Sequence, residues 1–309
     1  MIIASLDLGT NTFHLLIAET MPDERWNRVV RKQIAVRLGK GGIHHGRITA
    51  DAYRRGMNAL GKFQKLCRLY RVSRVYAVGT AALRAATNGK QFLDEALERF
   101  GFSINVISGS EEATLIYHGA RQALRMSDDK LLIMDIGGGS VEFIIANGKR
   151  IFWKRSFKIG AALLIGRFNP EDPLTRSDVR KIAAFLEMEL KPLFIVCRGH
   201  NPALLVGTAG SFETFASMIR HRFPGSGSHY GRKEHPIVWN HFQSLYRELI
   251  VSKRSDRATM KGLIKMRVDM IVMAALMLNF VLDRTGIRLI RLSAYSLKEG
   301  AIWKLMQEN

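Results

Sequence analysis

Cysteine, acidic residues and long apolar runs are all scarce in this sequence. Two cysteines, Cys67 and Cys197, occur among 309 residues, apart from each other and in apolar surroundings. That excludes a disulfide framework and a cysteine-built zinc site, and reads as small core residues of a reducing, cytoplasmic compartment. The nine histidines show no HExxH or other zinc spacing, and His44–His45 adjoin a glycine-rich turn rather than a helix with a carboxylate partner. No GxSxG elbow is present, so serine-hydrolase chemistry lacks support. The most apolar run, Met270–Leu282, is interrupted by Asn279 and falls short of the roughly 20 residues that span a bilayer; a buried helix is expected there. The opening MIIASLDLGT has no basic leader or small-residue cleavage site and reads as a first strand rather than an export signal.

The shortage of acid has a positive consequence. Lys and Arg number 47 against 27 Asp and Glu, a formal charge of +20, which favours a polyanionic partner. Nucleic acid, polyphosphate, a highly phosphorylated nucleotide and an anionic membrane all meet that condition, and a solvated basic surface is the plain alternative. Between Arg247 and Arg267 seven basic residues stand against two acidic ones; helical periodicity would spread them over an exposed face, for steering or simply for solvation.

With 47% hydrophobic residues, the chain can fill the cores of two ordinary domains. IIASLDLGTNTFHLLIAE reads as a hairpin bent at Leu8–Thr12. Thr49–Tyr70, with Met57, Leu60, Phe63, Leu66 and Cys67 at spacings of three and four, predicts an amphipathic helix. Ser73–Thr80 predicts a strand, Ala81–Phe100 a helix, FSINVISGS a strand and EEATLIYHGARQALRM a helix. LLIMDIGGGSVEFIIANG then repeats the opening strand, glycine turn, strand design, which suggests a duplicated α/β unit with a cleft between the copies. The expected domains are residues 1–125, with the C-terminal helix 296–309 as a candidate addition, and residues 126–295. Phe223–His235 reads as a mobile glycine-, serine- and histidine-rich loop, followed by long helices from Trp239 to Leu282, a strand at Arg288–Ser293 and a final helix from Ser296.

Glycine-rich turns after strands can aim successive backbone N–H groups into one concavity that binds phosphate oxygens. Three candidates occur: Asp7–Thr12, with Thr10 and Asn11; Asp135–Ser140, with Gly137, Gly138, Gly139 and Ser140; and GTAGS, with Gly207, Gly210 and Ser211. The leading aspartates Asp7 and Asp135 would stand at strand ends beside phosphate, placed to hold Mg²⁺ or another divalent cation directly or through water, although an isolated DxG more often bonds its own turn. Phosphate transfer also needs a base or water-positioner. Glu111 and Glu112 of SGSEEA supply two carboxylates at a helix start, where they also suit the helix dipole. Arg84, just after a strand, offers a planar fork for a phosphate oxygen; on a helix it is equally a surface residue. His14 lies on the second strand of the first hairpin, where a packed or supporting role is expected.

The sequence resembles the exopolyphosphatase/guanosine-pentaphosphate phosphatase (Ppx/GppA) family. DLGTNTFHLLIAE, VRLGKG, VGTAALRAATN, ISGSEEATLIYHG, MDIGGGSVEFI, GTAGSFET and LSAYSLKEG occur in that family's order and run from Asp7 to Gly300, nearly the whole chain. The resemblance implies an actin-like ATPase (ribonuclease H-like) α/β fold of two duplicated domains. It implies hydrolysis of a terminal phosphate of polyphosphate or pppGpp, usually with Mg²⁺, and a homodimer. It matches Glu112 to the proposed catalytic base and Arg84 to a phosphate-contacting arginine. It matches Asp7, Thr10 and Asn11 to the first phosphate loop, Asp135 and Gly137 to Ser140 to the second, and Glu142 to a carboxylate near metal and water. Leu163 stands where many members carry arginine, a later charged element is Arg267–Val268–Asp269, and Ala294 and Ser296 depart from the closing motif. The chain resembles the short, two-lobed members.

The resulting expectation is an enzyme that hydrolyses polyphosphate in preference to pppGpp. The rivals are a sugar or acetate kinase, which the SGSEEA motif disfavours, and a non-catalytic polyanion binder. No helix-turn-helix, zinc finger or aromatic RNA-binding signature points to specific nucleic acid, and no membrane partner is expected.

Overall fold

The computed structural model describes residues 1–22, 25–42, 45–225 and 233–308. His44 and stretch 226–232 of the expected loop lie outside the described residues. Two compact units emerge, residues 1–119 with 296–309 and residues 120–295.

The first unit opens with the hairpin β1 (Ile2–Leu8) and β2 (Thr12–Thr20), paired from Ile2↔Glu19 to Leu8↔Phe13. An antiparallel third strand, β3 (Trp26–Ala35), covers β2. Helix α1 (Ala50–Leu69) begins at Thr49, whose hydroxyl accepts from Ala52 N, and buries Met57, Leu60, Phe63 and Cys67. It leads to β4 (Arg74–Gly79), parallel to β1, because a parallel neighbour needs a crossover. The expected helix over 81–100 is two helices, α2 (Ala81–Ala85) and α3 (Gly89–Phe100). The break is held by Asn88, whose side-chain amide donates to Ile48 O and accepts from Ile48 N, tying the chain to the segment before α1. β5 (Ile104–Val106) pairs parallel to β4 and leads into α4 (Gly109–Ala123). The C-terminal helix α11 (Leu297–Gln307) packs on β1 and β2: Ser5 Oγ donates to Lys298 O at 2.9 Å, and Ile302 and Leu305 cluster with Ile3, Leu16 and Ala18.

The second unit contains β6 (Leu131–Ile136), β7 (Val141–Ala146), β8 (Ile151–Phe157), α5 (Ala161–Phe168), α6 (Arg176–His200), β9 (Leu204–Thr208) and α7 (Ala209–Arg222). It continues through β10 (Glu234–Ile237), α8 (Trp239–Val251), α9 (Arg254–Thr259), α10 (Ile271–Thr285) and β11 (Leu289–Ser293). Part of the expected 223–235 loop is therefore strand β10, paired with β11. The helices expected over 239–282 are three, α8, α9 and α10, and a 3₁₀ turn at Lys265–Arg267 lies between α9 and α10. Ser252 Oγ closes α8 by bonding Leu249 O. Gly262 adopts a left-handed φ of +85° and passes so close to the Ser217–Met218 backbone that a Cβ would lie 2.7 Å from it. The basic 247–267 segment is thus no uniform exposed helix face. Arg257 is buried, 5% exposed, with bonds to Ser252 O, Val268 O and Asp172, and Arg254 pairs with Asp269. Ile271–Leu282 of the apolar run falls in the buried helix α10, with Met270 at its N-cap, and Asn279 bonds Gln243 and Asp283.

The first sheet is ordered β3-β2-β1-β4-β5, and the second, read from β8, is β8-β7-β6-β9-β11 with β10 added at its edge. Directions correspond as well: an antiparallel meander of three strands, then two strands parallel to the first. One mixed sheet, built twice, is the duplicated actin-like, ribonuclease H-like architecture. Both cysteines are buried, which pushes their thiols up to about 11 for Cys67 and about 12 for Cys197. Among the described residues no helix is long and apolar enough to cross a membrane.

Candidate active site

Each glycine turn is built the same way. Gly9 N donates to Thr12 O at 3.1 Å in the first unit and Gly137 N to Ser140 O at 3.0 Å in the second. Each turn is then braced by the segment that follows the third strand. After β3, Gly39 N donates to Thr10 O and Arg37 N to Asn11 O, while Arg55 from α1 clamps the carbonyls of Val36 and Arg37. After β8, Gly160 N donates to Gly139 O, Ala161 N to Gly137 O, and Ala162 N and Leu163 N to Gly138 O. Three successive carbonyls of the second turn therefore face the start of α5. Because a trans peptide sets N–H opposite C=O, the N–H groups of Gly138, Gly139 and Ser140 face away from α5, the arrangement that makes an anion nest. Leu163, which departs from the arginine of the resembled family, contributes its backbone N–H to this brace.

The leading aspartates stand in different rows. Asp135 faces Glu142 across β6–β7, Glu142 faces Ser156 across β7–β8, and Asp135 is level with Thr208 on β9. Thr208 Oγ1 donates to Asp135 Oδ2 at 2.6 Å and Ser156 Oγ to Glu142 Oε1 at 2.7 Å. Asp135 is 7% exposed and Glu142 1%. In the first unit the corresponding cross-strand row is Asp7, His14 and Gln33, with one carboxylate in place of two.

The third loop divides its residues between packing and site. Gly207 leaves room for the Phe212 ring, Ser211 Oγ donates to Ile136 O at 3.4 Å, and Gly210 lies directly against the guanidinium of Arg267. Arg267 is thereby brought to the glycine turn from the segment beyond α9; the motif order alone did not place it there.

SGSEEA resolves into two roles. Glu111 Oε2 accepts from Ser108 N at 2.8 Å while Ser108 Oγ accepts from Glu111 N, a reciprocal cap on α4. Glu112 is instead buried, 7% exposed. Arg84, at the end of α2, donates to Ile107 O at 2.6 Å and lies 3.4 Å from Glu112 Oε2. The first unit thus brings together Glu112 and Arg84, from segments 28 residues apart.

The sequence profile of the Ppx/GppA phosphatase family matches residues 16–309. The chain belongs to that family. Among solved Ppx/GppA-like structures, that of an exopolyphosphatase from Cytophaga hutchinsonii is similar at 36% identity and a TM-score of 0.96, covering 100% of this chain and 98% of that one. A Haemophilus influenzae relative is 28% identical over 303 residues, 98% of this chain and 91% of that protein. The Ppx/GppA family member of Aquifex aeolicus shares the fold at 23% identity, with a TM-score of 0.81 and coverage of 100% and 99%. At the level of the family, the chain is a phosphatase.

Ser156 and Gly160 were not singled out in the sequence. Ser156 carried no motif signal, and only the β7–β8 register reveals it. Gly160 had one, since the resemblance marked the segment after the second hairpin, but only the close approach to Gly138 explains it.

Proposed function

We propose that the protein hydrolyses the terminal phosphoanhydride of inorganic polyphosphate, releasing orthophosphate. The observation that carries this reading is Glu112: a buried carboxylate beside Arg84, at a helix start where the neighbouring Glu111 is already spent on the cap. Glu112 accepts a proton from water as the water oxygen bonds to the terminal phosphorus. The bridging P–O bond breaks, leaving orthophosphate and a chain one phosphate shorter. Within the second unit the N–H groups of Gly138, Gly139 and Ser140, and within the first unit the turn with Thr10 and Asn11 and the Arg84 guanidinium, are donors suited to phosphoryl oxygens; such fixed donors supply most of the rate gain. The charge of +20 favours a long polyanion.

A divalent cation such as Mg²⁺ fits the second unit best. Like charges directly opposite on neighbouring strands repel, and the buried Asp135–Glu142 pair presents hard oxygen donors of the kind Mg²⁺ takes from one or two carboxylates plus substrate phosphate. Among the described residues no three His, Cys, Asp or Glu side chains gather into a metal cage. Such a cation, when bound, offsets charge on the phosphoryl oxygens.

The reading is tested by kcat/KM for polyphosphates of several lengths, pppGpp and ATP. Polyphosphate should rank first. A preference for pppGpp overturns the substrate assignment, and turnover of ATP only with an acceptor overturns hydrolysis in favour of a kinase.

A further inference from the structure

Thr208, Asp135, Glu142 and Ser156 form one row across β9, β6, β7 and β8. The two carboxylates occupy its middle and the two hydroxyls its ends. Each hydroxyl donates to one oxygen of the adjacent carboxylate, at 2.6 and 2.7 Å, in the short range of hydrogen bonds to an ionised acceptor. Thr208 is fully buried. The terminal torsion of an Asp or Glu side chain has no deep rotamer well of its own, so a buried carboxylate is oriented by the donors that meet it. Two adjacent carboxylates would otherwise turn away from one another.

We propose that Thr208 and Ser156 are positioning residues: they hold the carboxylates of Asp135 and Glu142 in the orientation that accepts a divalent cation. The inference rests on the cation reading above. It is particular to the second unit, since the matching row in the first holds Asp7, His14 and Gln33. Nothing in the GTAGS motif required its threonine to serve an aspartate 73 residues away; the sheet register does.

The probe is Mn²⁺, titrated by calorimetry and by electron paramagnetic resonance into the full-length protein without substrate. Thr208→Val and Ser156→Ala should each weaken Mn²⁺ binding roughly 10–100-fold, the usual cost of removing a group that orients a ligand, and Thr208→Ser should stay within about threefold of wild type. Thermal unfolding without metal identifies any variant that fails to fold. Ser156, on edge strand β8 and only partly buried, keeps the test open if Thr208→Val does fail. Wild-type Mn²⁺ affinity in both Thr208→Val and Ser156→Ala overturns the proposal. Asp135→Asn separates the two levels. If it abolishes binding while the hydroxyl variants keep it, positioning alone is wrong. If it binds as wild type does, the cation reading fails and positioning falls with it.

Discussion

Arg84 Nη1 lies 3.4 Å from Glu112 Oε2 while the same nitrogen donates to Ile107 O at 2.6 Å. The backbone contact fixes the arginine at the end of β5, so its charge stands beside Glu112 without closing fully on it. Glu112→Gln should retain the fold and lose phosphate release from polyphosphate by roughly 10²–10⁴-fold, the usual range for a general base. Single-turnover phosphate release checks this, and wild-type turnover removes Glu112 from the reaction.

Arg84→Lys keeps a charge but not the fork that bonds Ile107 O and, in the proposed reaction, would also reach a phosphate oxygen. It should raise KM for polyphosphate and lower kcat, with little rescue relative to Arg84→Ala. Steady-state kinetics over a series of chain lengths distinguishes this from loss of charge alone, for which lysine would restore most of the activity.

A methyl group at Gly160 would meet Gly138 C and O at 2.4 Å, backbone atoms that cannot rotate aside. Gly160→Ala should cost about 1–3 kcal/mol, as overpacking generally does, and displace the second turn from α5. Urea unfolding gives the stability change. Phosphate release should fall in the same variant, because the Gly138–Ser140 N–H groups lose their common direction.

Away from the turns, the Tyr53 hydroxyl donates to Glu95 at 2.7 Å and Arg99 pairs with the same carboxylate. The Tyr53 hydrogen bond, then the one from Arg99, holds Glu95 below its ordinary value of 4.5. A depressed carboxyl stabilises the fold above its unfolded pKa, and that contribution disappears as pH falls through the folded one. Tyr53→Phe should therefore lower stability at neutral pH and flatten its acid-side fall. Burial first, then the bond to Glu95, raises the Tyr53 hydroxyl itself, so its contribution is complete below the unfolded tyrosine value and vanishes as pH rises through the folded one. Denaturant unfolding measured across pH, with wild type and variant alike in the acid limb, would show that the bond does not form.

The paired turns were legible because their signals are local. Alternating apolar strands on each side of a glycine bend specify a hairpin wherever they occur, and Asp7–Thr12 and Asp135–Ser140 both form one. Helix α1 was equally plain from Met57, Leu60, Phe63 and Cys67 on one face. The break at Asn88 was missed although Asn88–Gly89 is a turn dipeptide; the partner that holds it, Ile48, lies 40 residues earlier. Arg257 misled for the same reason: its charge reads as solvent-facing until Asp172, 85 residues away, is seen beside it.

By itself, then, the sequence determined that two strand–glycine–strand units recur, that glycine turns sit at their bends, and that Glu111 and Glu112 begin a helix. Tertiary structure decided what each of those residues does. Capping consumes Glu111 and leaves Glu112 buried; parallel strand register, not spacing, sets Thr208 against Asp135; and the start of α5 takes the turn's carbonyls so that its N–H groups face outward. Secondary structure answers to neighbours a few residues away, whereas the direction of a hydrogen bond answers to whichever strand the fold lays alongside.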